Sequence, residues 1–161
     1  MSISIVFEKF PLFIPISKTR TIKLNYQNIY NGKWSNKQRA NIIGKCHHYL
    51  EVEYMTFNNS DINRIINKVR KLEKPLTLEI EMHSIEFHGG IRMVNNKIVI
   101  PKKYCKFDVK NVIDIWGKVI PDFLNRKGFF IDDDIKNIDT IITRFKCIDD
   151  LENRFILINI K

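Results

Sequence analysis

Residues 2–7 (SISIVF) alternate between polar and apolar, which predicts a strand. From Phe10 to Asn31 the pattern dissolves. Pro11 and Pro15 interrupt it, aromatics mix with Lys18, Arg20 and Lys23, and the segment reads as irregular and basic. Helical spacing returns with Ile42, Ile43, Cys46 and Leu50, so a helix is expected from the cap Ser35 to about Leu50. A second is expected from a cap at Ser60 or Asp61 through Glu73. Ile62, Ile65, Ile66, Val69 and Leu72 share its apolar face, and Pro75 stops it.

Residues 76–87 (LTLEIEMHSIEF) alternate again and predict a half-exposed strand. IRMV and KIVI flank Asn95-Asn96, a pair that tolerates the positive φ of a tight turn, so a hairpin is expected there. Residues 109–125 predict a helix, with a kink where Pro121 cannot donate to Gly117. Residues 128–131 predict a short extended piece, and 135–146 and 154–160 two late strands, expected to be antiparallel neighbours. With no repeat and no Gly/Ser linker, residues 1–161 are expected to form a single α+β domain, a mixed or antiparallel sheet packed with helices.

Composition is ordinary for a globular chain of 161 residues, with 44% apolar and 28% charged. No apolar run approaches the roughly 20 residues needed to span a bilayer. The N-terminus carries Glu8 and lacks a basic leader, so no signal peptide is expected. Cys46, Cys105 and Cys147 are far apart with no CxxC pair, which argues against a zinc ribbon or disulfide framework and suggests a reducing cytoplasm. No P-loop or dinucleotide fingerprint is present, so no nucleotide cofactor is expected.

The net charge of +9 changes the picture, because it favours anionic partners, nucleic acid ahead of a membrane. Lys18, Arg20, Lys23, Lys33, Lys37 and Arg39, interleaved with Tyr26, Tyr30 and Trp34, form the best candidate DNA-binding stretch; ordinary surface cations are the alternative. Trp34 and Trp116 read as core rather than base-stacking platforms. His47 and His48 point about 100° apart on a helix and read as rim residues rather than ligands of one ion.

Within this basic chain, carboxylates concentrate in residues 107–139. On a helical wheel Asn111, Asp114, Lys118, Asp122 and Asn125 share one stripe, with Asp108 beside it, while Val112, Trp116, Val119, Ile120 and Phe123 lie opposite. Beyond Gly128 comes the run Asp132-Asp133-Asp134. Like charges held together need solvent or a cation, and Mg²⁺ takes carboxylate oxygens. Such a site suits phosphodiester hydrolysis: the metal activates water, and Lys118 could neutralise the transition state. A solvated helix face followed by an exposed acidic loop is the plainer alternative.

This segment resembles the signature of RusA-type Holliday-junction resolvases, D-x-D-N-x-x-K-x-x-x-D-x-L followed by a glycine and an aspartate pair. Lys118, Asp122, Leu124, Gly128, Asp132 and Asp133 keep that spacing, and Asp108 and Asn111 match the first Asp and the Asn. Residues 76–161 carry the resemblance; residues 1–75 match only in outline. Lys110 stands where the second Asp belongs, and Asn111 to Lys118 is longer than the signature allows. An inserted helical turn accounts for both, since Asp114 then stands four residues before Lys118 as the replacement carboxylate.

The resemblance implies a RusA-like homodimer that uses Mg²⁺, with Mn²⁺ as a substitute, to nick opposing strands of a four-way DNA junction. It implies Asp108, Asp114, Asp132 and Asp133 as metal ligands and Asp108, Asp114, Lys118 and Asp133 as catalytic groups, supported by Asn111 and Asp122. The alternative on the same fold is a disarmed protein that binds branched DNA or a protein partner without cutting. Lys110 favours the second and the Asp114–Lys118 spacing the first.

Overall fold

A computed structural model of the chain describes residues 2–30, 34–130 and 136–161. Strand β1 (Ile3–Glu8) keeps its two-residue period: Ile3, Ile5 and Phe7 are buried, while Ser4, Val6 and Glu8 face outward. Within the stretch read as irregular, residues 10–30 carry more regular structure than their composition suggests. β2 (Phe13–Pro15) and β3 (Thr21–Lys23) pair as an antiparallel hairpin, and helix α1 (Tyr26–Tyr30) follows. Asn25 starts that helix by accepting from the Asn28 backbone at 2.7 Å. Leu12, Ile14, Leu24 and Ile29 bury themselves without any shared period, which is why periodicity read the segment as irregular.

Helix α2 (Asn36–Met55) starts where expected and runs five residues past Leu50. Ser35 accepts from the Gln38 backbone at 3.3 Å while the Gln38 side chain accepts from Ser35 N–H at 2.9 Å, a reciprocal capping box. Ser35→Ala is therefore expected to lower stability by about 1 kcal/mol, read as a lower urea midpoint at unchanged slope. An unshifted midpoint would show that the cap contributes nothing. Helix α3 (Asn59–Arg70) begins before the expected caps, because Asn58 accepts from the Ser60 backbone at 3.0 Å and the Ser60 hydroxyl at 2.8 Å. Ser60 is a donor inside the first turn rather than the cap.

The main sheet adds β4 (Leu76–Ser84), β7 (Ile138–Cys147) and β8 (Phe155–Ile160) to β1 in the order β1-β8-β4-β7. Between β4 and β7 come the hairpin β5 (Arg92–Val94) and β6 (Lys97–Val99) and then helix α4 (Val109–Arg126). The hairpin turns as expected on two positive-φ residues, Asn95 at 49° and Asn96 at 60°. β4 pairs parallel with β7 and antiparallel with β8, so the sheet is mixed and α4 is the crossover of a β4–α4–β7 unit. This corrects the expectation that the two late strands are neighbours: β4 lies between them. The result is a single α+β domain with a mixed sheet packed against helices.

Being central, β4 is also not half-exposed. Leu78, Ile80 and Met82 face the helices, while Glu79 and Glu81 lie on the other face and are buried all the same. Long cations cover them. Lys161 stands 2.8 Å from Glu79, Lys146 2.9 Å from Glu81, and Arg144 lies 3.7 to 3.9 Å from both. The hydrogen bond from Lys146 is the main reason the Glu81 carboxyl is held below the usual carboxylate range. Alternation of apolar and charged residues therefore marked the two faces of β4 correctly, but not their exposure.

Helix α4 continues through buried Pro121 to Arg126. A Cβ on Gly117, the residue whose carbonyl Pro121 cannot serve, would come within 3.0 Å of Thr143 Cγ2, so the glycine permits a close approach of α4 to β7. The helix ends on Gly128 at φ 76°, where Phe129 N–H bonds back to Leu124 O at 3.1 Å. Residues 128–130 thus form a turn and bend rather than the extended piece expected; residue 131 lies outside the described residues. Among the described residues no helix is long and apolar enough to cross a membrane.

Candidate metal and nucleic-acid site

Helix α4 is amphipathic in the expected sense. Val112, Ile113, Ile115, Trp116, Val119, Ile120, Phe123 and Leu124 are buried, and Trp116 packs edge-on against Phe10 and Tyr49. The polar stripe sits opposite, but it is a line rather than a cluster. Asp108 and Asp122 are fourteen residues apart, about 21 Å along the axis at roughly 1.5 Å per residue, far beyond the reach of one ion.

The three stripe carboxylates have three different settings. Asp108 is the helix N-cap: one oxygen accepts from the Lys110 backbone at 3.0 Å and the other from the Asn111 amide at 3.4 Å. Asp122, at the other end, lies 2.9 Å from the Arg126 guanidinium and 3.0 Å from His47 Nε2. Asp114, half-buried between them, has no hydrogen bond or ion pair among the described residues. Of the three, it is the one with both oxygens left for another ligand among the described residues; both Asp122 contacts are to Oδ2.

His47 corrects an expectation, since it is not a rim residue. Its side chain is 12% exposed, wedged between α2 and α4. Burial, reinforced by the Arg126 charge, pushes its pKa down, so the ring is neutral at pH 7 with Nε2–H donating to Asp122. Its Nδ1 is buried without a hydrogen-bond partner among the described residues. The adjacent ion pair of Lys127 with Glu51, at 2.5 Å, closes this end of the helix pair. His48 is exposed as expected.

Lys118 is exposed at mid-stripe, and helix α1 meets it there. The Lys118 ammonium lies 3.4 Å from the Tyr26 hydroxyl and 4.9 and 4.3 Å from the ring centroids of Tyr26 and Tyr30, which stack on each other at 4.5 Å. Ninety-two residues separate Lys118 from Tyr26, and no local signal in either segment points to the other. The fold thus sets the middle of the acidic stripe beside the segment that carries the candidate DNA-binding residues.

Those cations divide. Lys18, Arg20 and Lys37 are exposed. Lys23 is not available as expected: half-buried, it donates to the carbonyls of Gly89 and, at 3.0 Å, Ile91, and burial lowers its pKa. It ties β3 to the 88–91 turn. Arg39 is half-buried, its Nε without a partner among the described residues, and Lys33 lies outside them. Trp116 is core, but Trp34 is only half-buried, with the Arg20 guanidinium 4.9 Å from its ring centroid.

Among the described residues no three His, Cys, Asp or Glu side chains converge as a metal cluster. Asp132 and Asp133, expected to complete the metal site, lie outside the described residues. No family model and no curated protein matches the chain.

Proposed function

We propose that this protein is a Mg²⁺-dependent, structure-selective endonuclease that cuts four-way DNA junctions, as the RusA-like signature in residues 107–139 implies. One observation carries the reading. Asp114, a carboxylate with no hydrogen bond or ion pair among the described residues, stands one helical turn from Lys118, and Lys118 is braced against the tyrosines of the basic N-terminal segment. Carboxylate oxygen is the donor that Mg²⁺ prefers, so the group fits the ion.

In this reading Asp114 is the first metal ligand, Asp132 and Asp133 complete the set, and Asp108 serves at its edge. The ion, when bound, lowers the pKa of water and polarises the scissile phosphate. Lys118, oriented by Tyr26 and Tyr30, places a positive charge where the phosphate gains negative charge. Asn111 and Asp122 hold the helix ends through Asp108 and through His47 with Arg126. Lys18, Arg20 and Lys37 contact the DNA backbone. Nicking two opposing strands calls for two sites, hence a homodimer acting on intracellular DNA.

The test is incubation of the purified protein with a synthetic four-way junction. Paired nicks with Mg²⁺ and none in EDTA are expected; intact junctions in both would remove the enzymatic reading. A second reading, binding without cutting, is favoured by Lys110 at the place of a family carboxylate and by the commitment of both Asp108 oxygens to the helix cap. Both readings expect affinity to fall steeply with salt. Changing Lys18, Arg20 and Lys37 to Glu should flatten the log–log salt slope by roughly 0.9 for each phosphate that is no longer neutralised. Salt-insensitive binding would point to a protein partner instead.

A further inference from the structure

Resting on the reading of the chain as a branched-DNA protein, we propose that the cleft beside Trp34 binds one unpaired nucleobase, stacked on the indole, with Arg20 on its flanking phosphate. The cleft measures about 220 Å³ and is lined by Ile16, Ser17, Arg20, Trp34, Gln38 and Asn41. It is sized for one flat ring system rather than a base pair.

Its chemistry matches a base on three sides. The Trp34 ring supplies the stacking surface, and Arg20 already covers it with a planar, cationic, π-bearing group at 4.9 Å. The Arg20 guanidinium makes no ion pair among the described residues, so a base can take its place while it turns to a phosphate. The backbone beneath Arg20 is fixed, because the Ser17 hydroxyl oxygen accepts from the Thr19 and Arg20 N–H groups at 3.4 and 3.1 Å.

The rim carries the hydrogen-bonding groups. Gln38 commits its oxygen to the Ser35 N–H at 2.9 Å, which leaves its amide N–H groups as donors. Asn41 is exposed, with both a donor and an acceptor. A base in duplex DNA has its faces stacked and its Watson–Crick edge engaged, so it cannot enter. An unpaired base at a branch or a frayed end presents both. Lys18 and Lys37 flank the cleft with exposed charge for the adjoining phosphates. The Tyr26–Tyr30 stack on Lys118 belongs to the same segment, so a base held here is tethered to the DNA that meets α4.

Trp34 also reports on the site. The chain has two tryptophans, and Trp116 is buried beyond contact with DNA. Titration of the intact protein with a short oligothymidine should quench Trp34 emission saturably, and a blunt duplex at equal phosphate concentration should quench it much less. Trp34→Ala should weaken oligothymidine binding about 5- to 150-fold, the range for removing one base stack, with duplex affinity unchanged within about twofold. Trp34→Phe should restore most of that affinity, and Arg20→Ala, at an exposed side chain, should reproduce part of the weakening.

Equal quenching by duplex, or equal weakening of both ligands by Trp34→Ala, would reduce the cleft to a phosphate contact and overturn the base site. Junction binding or cleavage with no response of Trp34 emission would overturn the base site and leave the proposed function standing. No binding to any DNA would overturn both.

Discussion

Asp114→Asn is expected to abolish Mg²⁺-dependent junction cleavage while junction binding survives. The substitution preserves the shape of the side chain and removes the charge that a metal ligand supplies. Replacing groups that merely orient metal ligands costs about 10- to 100-fold, so losing the ligand itself should cost at least about 100-fold in cleavage rate. Binding should hold or tighten, because one negative charge facing phosphates disappears. The measurement is single-turnover nicking alongside gel-shift affinity in Ca²⁺, a cation that also takes carboxylate oxygens.

Lys110→Asp, which restores the family signature literally, is the informative control. Lys110 is exposed in the first turn of α4, about 100° from Asn111 and about 80° from Lys118 around the helix, and among the described residues its side chain makes no hydrogen bond or ion pair, while its backbone N–H donates to Asp108. It should leave cleavage within about threefold, since no group in its setting depends on the ammonium. If Lys110→Asp instead creates activity in a protein that had none, the metal register runs through Lys110 rather than Asp114. The native chain would then be the non-cutting binder.

Where the sequence was legible, one local force decided the outcome. The α4 stripe, the Ser35 cap and the Asn95-Asn96 turn depend on residues within a few positions of one another, and each forms where expected. Long-range pairing decided the failures. β4 looked half-exposed because Glu79 and Glu81 alternate with apolar residues; only the three-dimensional neighbours Lys146, Lys161 and Arg144 reveal them as covered. The α1 segment looked irregular because its buried residues are spaced by a hairpin and a short helix rather than by one period.

The candidate site divides along the same line. Asp108, Asp114, Lys118 and Asp122 were readable as one helical face, yet their separation into a cap, a carboxylate unpaired among the described residues, a tyrosine-braced lysine and a His47-bound carboxylate was not. Wheel angle records direction and discards rise, so residues that share a face can still lie about 21 Å apart. Lys23 shows the converse. Its charge and position resembled those of Lys18 and Arg20, but burial against the carbonyls of Gly89 and Ile91 makes it a structural tie.

A histidine outside the site should control stability in mild acid. His88 is 3% exposed, enclosed by the rings of Phe10 and Phe145, with its Nδ1 2.8 Å from the Ser84 hydroxyl. Burial first, then the charges of Lys23 and Arg154, pushes its pKa from 6.5 to about 3. The unfolded chain therefore takes up a proton below pH 6.5 that the folded chain refuses until about pH 3. Its contribution is full above pH 6.5 and is lost as pH falls, a loss on the order of 5 kcal/mol across the whole interval at roughly 1.36 kcal/mol per pH unit. Glu81 and His47, whose pKa values are also lowered, act in the same direction, but both are present in the wild type and in a His88 variant, so they cancel when the two are compared. In His88→Asn the amide oxygen can take the place of Nδ1 and accept from Ser84, while the titration is removed. The variant starts less stable, because it fills less of the pocket. Urea unfolding from pH 5 to 6.5 should nonetheless show its stability rising with pH less steeply than the wild type, by up to about 1.4 kcal/mol per pH unit. Parallel slopes for the two proteins would mean that His88 is protonated in the folded state, which two nearby cations and a closed aromatic cage oppose.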